Sequence, residues 1–164
     1  MKRLLLLGAF CVSSFCFAAE PGTTSTPPAE APQVAVKELA LKIDPLSKEQ
    51  TDTGLTADML KETIDRELTL GSIDINDALS LPSLILRVRT IRVGLDFATY
   101  FQLSFQEEAV LARNRSKYYA VTWSQSSILA CRPEDLKNEV IDTVRILTQS
   151  FVKDYSKAMK PRAQ

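Results

Sequence analysis

The feature that most constrains this fold is a run of alternating apolar residues that turns back on itself, SLILRVRTIRVGLDFATYFQLSF, residues 83–105. Gly94-Leu95 in its middle suits the two-residue turn of a β-hairpin that has glycine first. With the turn there, three cross-strand pairs are apolar on both strands: Val88 with Phe101, Leu86 with Leu103, and Leu84 with Phe105. Because a slip of one residue would break all of these pairs, the turn and the alternation predict the same register.

The opposite face of the predicted hairpin carries the candidate binding residues, which are Arg87, Arg89, Tyr100, Gln102 and Ser104. Arginine suits the recognition of carboxylate or phosphate groups, and tyrosine offers a flat, amphipathic contact area. Three apolar residues share this face and make it less polar than a purely solvated surface: Ile85, Ile91 and Val93. The alternative interpretation is an ordinary exposed face on which arginine stems cover apolar patches.

Two helices are predicted from apolar residues at helical spacing. The first follows Thr56, a candidate N-cap, and ends at Gly71. Its apolar face is Leu60, Ile64 and Leu68. The second opens at residues 132–135, RPED, because proline and acidic residues favour a helix N-terminus. Its apolar stripe is Leu136, Val140, Val144, Leu147, Phe151 and Tyr155.

Three further strands complete the prediction, at residues 34–43, 72–75 and 117–125. In the last of them, we expect three side chains to point inward together: Tyr119, Val121 and Trp123. The segment SKEQTDTG, residues 47–54, is expected to be a polar loop. The predicted fold class is α+β, a mostly antiparallel sheet with two helices packed on one face, in the order β-α-β-β-β-β-α.

The N-terminus has the features of a secretory signal peptide. Two basic residues precede an apolar stretch, residues 4–17, which is too short to span a bilayer comfortably. Small residues follow, so we predict that residues 1–18 are a signal peptide, cleaved near Ala18 or Ala19. The expected location is the periplasm or the extracellular space.

Lipidation is the alternative fate of this leader. It requires a cysteine preceded by a small residue, whereas Cys11 and Cys16 both follow phenylalanine. Removing the two basic residues of the leader from the 20 in the chain leaves 18 against 20 acidic residues. No positive field is therefore expected that would hold nucleic acid. No later apolar stretch reaches the roughly 20 residues of a membrane-spanning helix, so no integral membrane segment is expected after cleavage.

The next segment, residues 19–34, is predicted to be a flexible arm. Its part EPGTTSTPPAEAPQ carries four prolines and no large apolar side chain, so it cannot offset the entropy of ordering. Residues 35–161 are predicted to form a single α+β domain. A domain of that size can bury roughly two-thirds of its unfolded surface and needs no disulfide to fold.

The residue types restrict the chemistry. The absence of histidine excludes Ser-His-Asp and Cys-His catalysis and histidine metal sites. Cleavage leaves Cys131 as the one cysteine, which excludes an internal disulfide and CxxC redox chemistry. Arg132 and a following helix N-terminus could lower the Cys131 pKa, but the simpler interpretation is a small residue filling a strand-to-helix junction. We predict no catalytic residue, no metal site and no cofactor.

Two carboxylate pairs are the remaining candidates for chemistry: Asp74 with Asp77, and Glu107 with Glu108. They could in principle perform acid–base work or bind calcium, but neither has an EF-hand pattern. Solvated surface charges are the simpler interpretation. Serine and lysine residues could form a Ser-Lys dyad, but no spacing favours one pair over another.

Four stretches together give the chain a family resemblance: GLTADMLKETIDREL, GSIDI, AVTWS and VIDTVRILTQSFVKDYSKAMKP. They are similar to a group of small exported bacterial proteins that has no assigned function. The resemblance covers roughly residues 36–161 and implies a periplasmic α+β domain. Lys160-Pro161 stands where the group tends to have Asn-Pro. The shared stretches are packing patterns, so the resemblance implies no functional residues.

These observations predict a non-catalytic binding or assembly module of the periplasm or the extracellular space. It would act through the Arg/Tyr face or a sheet edge, with an envelope protein or a second copy of itself as the partner. An enzyme of unusual type, using carboxylates or a Ser-Lys pair, is one alternative. A structural homo-oligomer built on the same face is the other.

Overall fold

The computed structural model describes residues 37–79 and 82–158. Five strands and three helices follow one another along the chain: β1 (Glu38–Ile43), α1 (Lys48–Asp52), α2 (Ala57–Leu70), β2 (Asp74–Ile75), β3 (Ser83–Val93), β4 (Asp96–Val110), β5 (Lys117–Cys131) and α3 (Leu136–Ala158). The predicted α+β class is confirmed, with one helix more than expected. The predicted signal peptide, its cleavage site and most of the arm lie outside the described residues.

The sheet is mixed, with the strand order β2-β1-β3-β4-β5. β1 runs parallel to both of its neighbours, and the longer pairings of β3 with β4 and of β4 with β5 are antiparallel. The hairpin has the predicted register, in which Val93 pairs with Asp96 and Ser83 pairs with Gln106. Gly94 opens the two-residue turn with a φ of 66°, a conformation that glycine adopts without steric cost.

The helices cover one face of the sheet, which we call the inner face. α2 packs on β1 and β2, and α3 packs on β4 and β5. The predicted apolar faces are buried between them: Leu60, Ile64 and Leu68 of α2, and Leu136, Val140, Val144, Leu147 and Phe151 of α3. The three apolar pairs of the hairpin are buried beneath these helices. Hydrophobic burial on this face is therefore what fixes the register read from the sequence.

Four aromatic rings close the β5 side of the core. Phe151 of α3 lies 5.2 Å from Phe105 and 5.1 Å from Trp123, measured between ring centroids. Tyr155, one helical turn further along α3, lies 5.4 Å from Phe151. The Trp123 indole Nε1 donates to the Asp154 carboxylate at 3.3 Å. These contacts attach α3 to the last two strands.

The prediction of a polar loop at residues 47–54 was wrong, because this segment contains α1. Gln50 of this helix is fully buried, and its side-chain Nε2 donates to Thr90 Oγ1 at 3.0 Å. Thr90 Oγ1 in turn lies 3.0 Å from Thr99 Oγ1 on β4. The helix is held by a buried amide and hydroxyls, so the sequence shows none of the apolar spacing that would predict it.

The predicted inward orientation of Tyr119 and Val121 was also wrong, since both side chains are exposed. A β-bulge is the cause. Trp123 pairs with Phe105, but the next partner of Gln106 is Val121, so Thr122 is left as the extra residue. A bulge of one residue moves every preceding side chain to the other face, and only Trp123 keeps the predicted orientation.

Four element boundaries differ from the prediction. β2 covers only Asp74–Ile75 of the predicted residues 72–75. β1 begins at Glu38, and residues 34–36 lie outside the described chain. β5 continues beyond residue 125 to Cys131. α3 begins at Leu136, because Pro133 belongs to a preceding turn in which the Asp135 N–H donates to the Arg132 carbonyl at 3.1 Å. The Asp135 carbonyl then accepts the first helical hydrogen bond, from the Glu139 N–H.

Candidate functional site

The other face of the sheet, which we call the outer face, has no helical cover among the described residues. Alternation along β3 and β4 places all five predicted binding residues on it. Arg89 pairs with Tyr100 and Arg87 pairs with Gln102, as the predicted register requires. The third strand continues these rows, since Tyr100 also pairs with Ile128 and Gln102 with Ser126.

Arg87 and Arg89 share one carboxylate. Arg87 Nε donates to Asp44 Oδ2 at 3.0 Å, and an Arg89 guanidinium nitrogen lies 3.5 Å from the same oxygen. Asp44 follows β1, whose parallel pairing of Ile43 with Leu86 places it beside the arginines. The cluster carries two positive charges and one negative charge. One positive charge is left over, and the arginine side chains are 50% and 65% exposed.

An apolar patch adjoins the arginines at the hairpin end of the outer face. Ile128 of β5 is 76% exposed and Ile91 of β3 is 64% exposed. Tyr100 of β4 lies in the row between Arg89 and Ile128 and is 36% exposed. We call Ile91, Tyr100 and Ile128 the apolar patch. Exposed β-branched side chains beside arginines are typical of a surface that contacts another protein.

The other two predicted residues contribute less to the accessible surface. Gln102 is half-buried, and its side-chain Nε2 donates to Ser124 Oγ at 3.4 Å. Ser104 pairs with Ile85 and Ser124 and is buried. Ser104 therefore lies in the floor of the face and offers no surface to a partner.

Sequence reasoning missed Asp44 and Ile128. Asp44 reaches the arginines only through the parallel pairing of β1 with β3, and no local pattern in the sequence indicates that pairing. Ile128 lies in the stretch SSILAC, which continues β5 beyond the predicted end of the strand. Alternation from Trp123, which was correctly placed inward, would have put Ile128 on the outer face.

Cys131, the last residue of β5, is half-buried and packs against the hydrophobic core. Burial raises the pKa of its thiol, and the negative charges of Glu139, Asp135 and Asp96 raise it further. The idea that Arg132 and a helix N-terminus lower this pKa is therefore wrong, because burial and nearby carboxylates raise it. At neutral pH the side chain is a thiol, as a packing residue requires.

Three of the four carboxylates in the predicted pairs make surface interactions with neighbouring side chains. Asp77 accepts a hydrogen bond from Lys61 Nζ at 2.6 Å, and Glu108 pairs with Lys117 Nζ at 2.7 Å. Glu107 accepts from Thr122 Oγ1 at 2.7 Å. Asp77 and Lys61 belong to an open depression beside α2, which is also lined by Asp58, Glu62 and Asp65.

The Lys61 amine shows why this depression is a poor candidate for acid–base chemistry. The hydrogen bond that it donates to Asp77, and the negative charges of Asp77, Asp65 and Asp58, raise its pKa above the ordinary lysine value. A lysine with a raised pKa stays protonated at neutral pH and cannot act as a general base. Within residues 37–79 and 82–158, no three cysteine or acidic side chains are grouped so that they could hold a metal ion.

Over the same described ranges, no helix combines the length and the apolar character needed to cross a membrane. No protein-family model matches the sequence, and no curated protein does either.

Two solved structures resemble the fold. One is a minor lipoprotein from Acinetobacter baumannii, with 15% identity, coverage of 81% of this chain and 99% of the other, and a TM-score of 0.42. The other is a protein from Caulobacter crescentus CB15 assigned provisionally to the lipoproteins, with 12% identity, coverage of 74% and 93%, and a TM-score of 0.38. Both are bacterial lipoproteins by description, and likeness at this level transfers no activity to the chain.

Proposed function

We propose that the protein is a non-catalytic binding module of the bacterial envelope that docks a protein partner on its outer face. The observation that carries this proposal is the arrangement of Arg87 and Arg89 beside the apolar patch, on a face that no helix of the described residues covers. The export that the proposal requires comes from the predicted signal peptide. The absence of histidine removes a histidine general base, and the raised pKa values of Cys131 and Lys61 keep both groups protonated at neutral pH, so neither is an activated nucleophile or base.

The chemistry of the face indicates the kind of partner. Two guanidinium groups and one carboxylate leave one positive charge, which suits a carboxylate on the partner. The apolar patch next to it suits an apolar side chain from the same partner, and burying such a patch is the main source of affinity at interfaces. The expected partner is therefore a protein surface that presents an acidic residue beside an apolar one.

Asp44 gives this docking a specific feature. It occupies the arginines in the free protein, so an incoming carboxylate has to share them with Asp44. The ion pairs are exposed and therefore weak, which makes such an exchange inexpensive. The Asp44→Asn variant should bind an acidic partner more tightly than the unmodified protein.

The test is a comparison of two charge reversals of equal size. The protein, expressed with its own leader, is used to capture partners from envelope extract as the unmodified chain, as Arg87→Glu/Arg89→Glu, and as Lys153→Glu/Lys157→Glu. The control lysines are exposed on α3, on the other side of the molecule. Each captured protein is then purified and its dissociation constant measured against all three forms.

We expect at least one partner whose affinity falls by about tenfold or more with the arginine reversal and stays within about twofold with the lysine reversal. Its binding should weaken as salt is raised. If every partner binds the arginine reversal and the lysine reversal equally well, the outer face is not the docking surface.

A further inference from the structure

The free edge of β5 is a second candidate surface, and it shares Ile128 with the outer face. β5 has β4 on one side and, among the described residues, no strand on the other. Its fifteen residues, Lys117–Cys131, therefore present a row of backbone N–H and C=O groups outward. Such a row is a template for an additional strand, and folded proteins usually protect it.

The half of β5 before the bulge has that protection. Lys117 carries a charge and is paired with Glu108, and the bulge at Thr122 interrupts the regular ladder. Charged side chains and bulges are two of the devices by which natural sheets block edge-to-edge pairing. Lys117–Val121 is therefore a poor site for another strand.

The half of β5 after the bulge, Trp123–Cys131, lacks this protection. From Trp123 to Cys131 the strand pairs with β4 without interruption, and it contains no charged residue and no proline. The contrast with the opposite edge of the sheet is large, because β2 there has only two residues, Asp74–Ile75. A regular, uncharged edge of nine residues is long enough to accept a partner strand along its whole length.

We propose that Gln125–Cys131, within this regular half of β5, pairs antiparallel with the same segment of a second copy, so that two sheets join into one of ten strands. A twofold axis perpendicular to the sheet produces this pairing and makes the contact self-complementary. Without charges, two copies approach without repulsion, and the edge has nothing with which to select an acidic or a basic foreign segment.

Side-chain placement favours a register in which Ile128 faces Ile128 of the partner. Ile128 is the most exposed large apolar residue of this half strand. Cross-strand neighbours share a face, so the two isoleucines bury each other and bring the two apolar patches together. On the inner face, Leu129 and Cys131 are each half-buried, and the second copy covers more of them.

The predicted arm is a poor alternative occupant of this edge. Residues 20–33 contain four prolines, and each proline lacks the N–H that a ladder needs. The proposal is argued independently of the proposed function, although the two share Ile128. Arg87, Arg89 and Ile91 are not part of the paired segment. Both outer faces would lie on the same side of the joined sheet.

The first experiment measures the molar mass of the full exported protein by light scattering over a range of concentrations. We expect a dimer that dissociates on dilution. Ile128→Lys places charges on the twofold axis and should raise the dissociation constant by at least about tenfold. Ile91→Lys is the matched control, since Ile91 has similar exposure on the same face but lies on the interior strand β3, and this variant should dimerise normally.

The second experiment locates the contact by disulfide cross-linking. In a Cys131→Ser background, Ile128→Cys should form a covalent dimer under mild oxidation, whereas Ile91→Cys should remain monomeric on a non-reducing gel. A protein that is monomeric at its highest soluble concentration would overturn the proposal. A dimer that survives Ile128→Lys and fails to cross-link at position 128 would overturn it as well.

Discussion

The two faces of the sheet use the same strands for different purposes. On β4, Phe101 is completely buried and its neighbour Tyr100 is 36% exposed, although one peptide bond separates them. The inward apolar residues of the hairpin lie in the core beneath the helices, whereas Arg87, Arg89 and Ile91 on the outer face are exposed. The inner face therefore supplies the burial that stabilises the fold, and the outer face is the one on which we propose binding.

The largest test of this contrast is the pair Phe101→Ala and Tyr100→Ala. Removing the buried ring leaves a cavity in the core, so Phe101→Ala should lower the free energy of unfolding by about 3–5 kcal/mol. Tyr100→Ala should lower it by about 0.5 kcal/mol, as is usual for a surface side chain. Urea unfolding monitored by Trp123 fluorescence measures both. Equal losses would mean that the outer face is covered.

A smaller difference in the free energy of unfolding is expected between substitutions of two glutamines, Gln50 and Gln102. Gln50 is buried and donates to Thr90, so Gln50→Ala should cost about 1–3 kcal/mol by leaving buried hydroxyls short of a partner. Gln102 on the outer face makes only a 3.4 Å bond to Ser124, so Gln102→Ala should cost about 0.5 kcal/mol. The same urea titration compares them. A larger loss from Gln102→Ala would reverse the assignment of the faces.

The arginines of the outer face should contribute little to folding. Their ion pairs with Asp44 are at least half-exposed on the arginine side, and exposed pairs contribute about 0–1 kcal/mol. Arg87→Gln and Arg89→Gln should therefore leave the urea midpoint nearly unchanged, and added salt should reduce even that difference. A loss comparable to that of Phe101→Ala would show that these residues are structural.

The reactivity of a thiol on the inner face can be compared with that of a thiol on the outer face, without measuring stability. Burial and three carboxylates raise the Cys131 pKa, so its thiolate fraction at a given pH is below that of a free cysteine. The rate at which Cys131 reacts with a disulfide reagent should be low at pH 8. The control is Cys131→Ser/Ser126→Cys, in which the thiol is on the outer face. The reaction rate of Cys131 should rise at a higher pH than the rate of this control. Equal pH profiles would contradict the raised pKa.

The hairpin could be predicted from the sequence because its information is local. Gly94 at the turn and the alternation on either side specify the register together, and no distant contact is needed. The helices α2 and α3 could be predicted for the same reason, α2 from its Thr56 cap and apolar spacing and α3 from its apolar spacing. The positions of Arg87, Arg89 and Tyr100 on one face follow from that register alone.

The remainder depends on contacts between distant segments. Asp44 reaches the arginines only because β1 pairs in parallel with β3. The helix α1 is held on the sheet by the hydrogen bond that the Gln50 amide donates to Thr90. The bulge at Thr122 leaves no signature in the sequence, since Tyr119, Val121 and Trp123 alternate as perfectly as a regular strand would. The alternation of apolar and polar residues predicts which side chains share a face only where no bulge adds a residue to the strand.

The buried bond between Gln50 and Thr90 connects residues 40 positions apart, and it bears on the order of assembly. The Thr90 and Thr99 hydroxyls meet only when the hairpin has closed in its native alignment. A hairpin that closed one step out of alignment would offer Gln50 no hydroxyl pair, and its amide would stay hydrated and undocked. Docking of α1 on the sheet therefore requires that β3 and β4 have already paired in the native register.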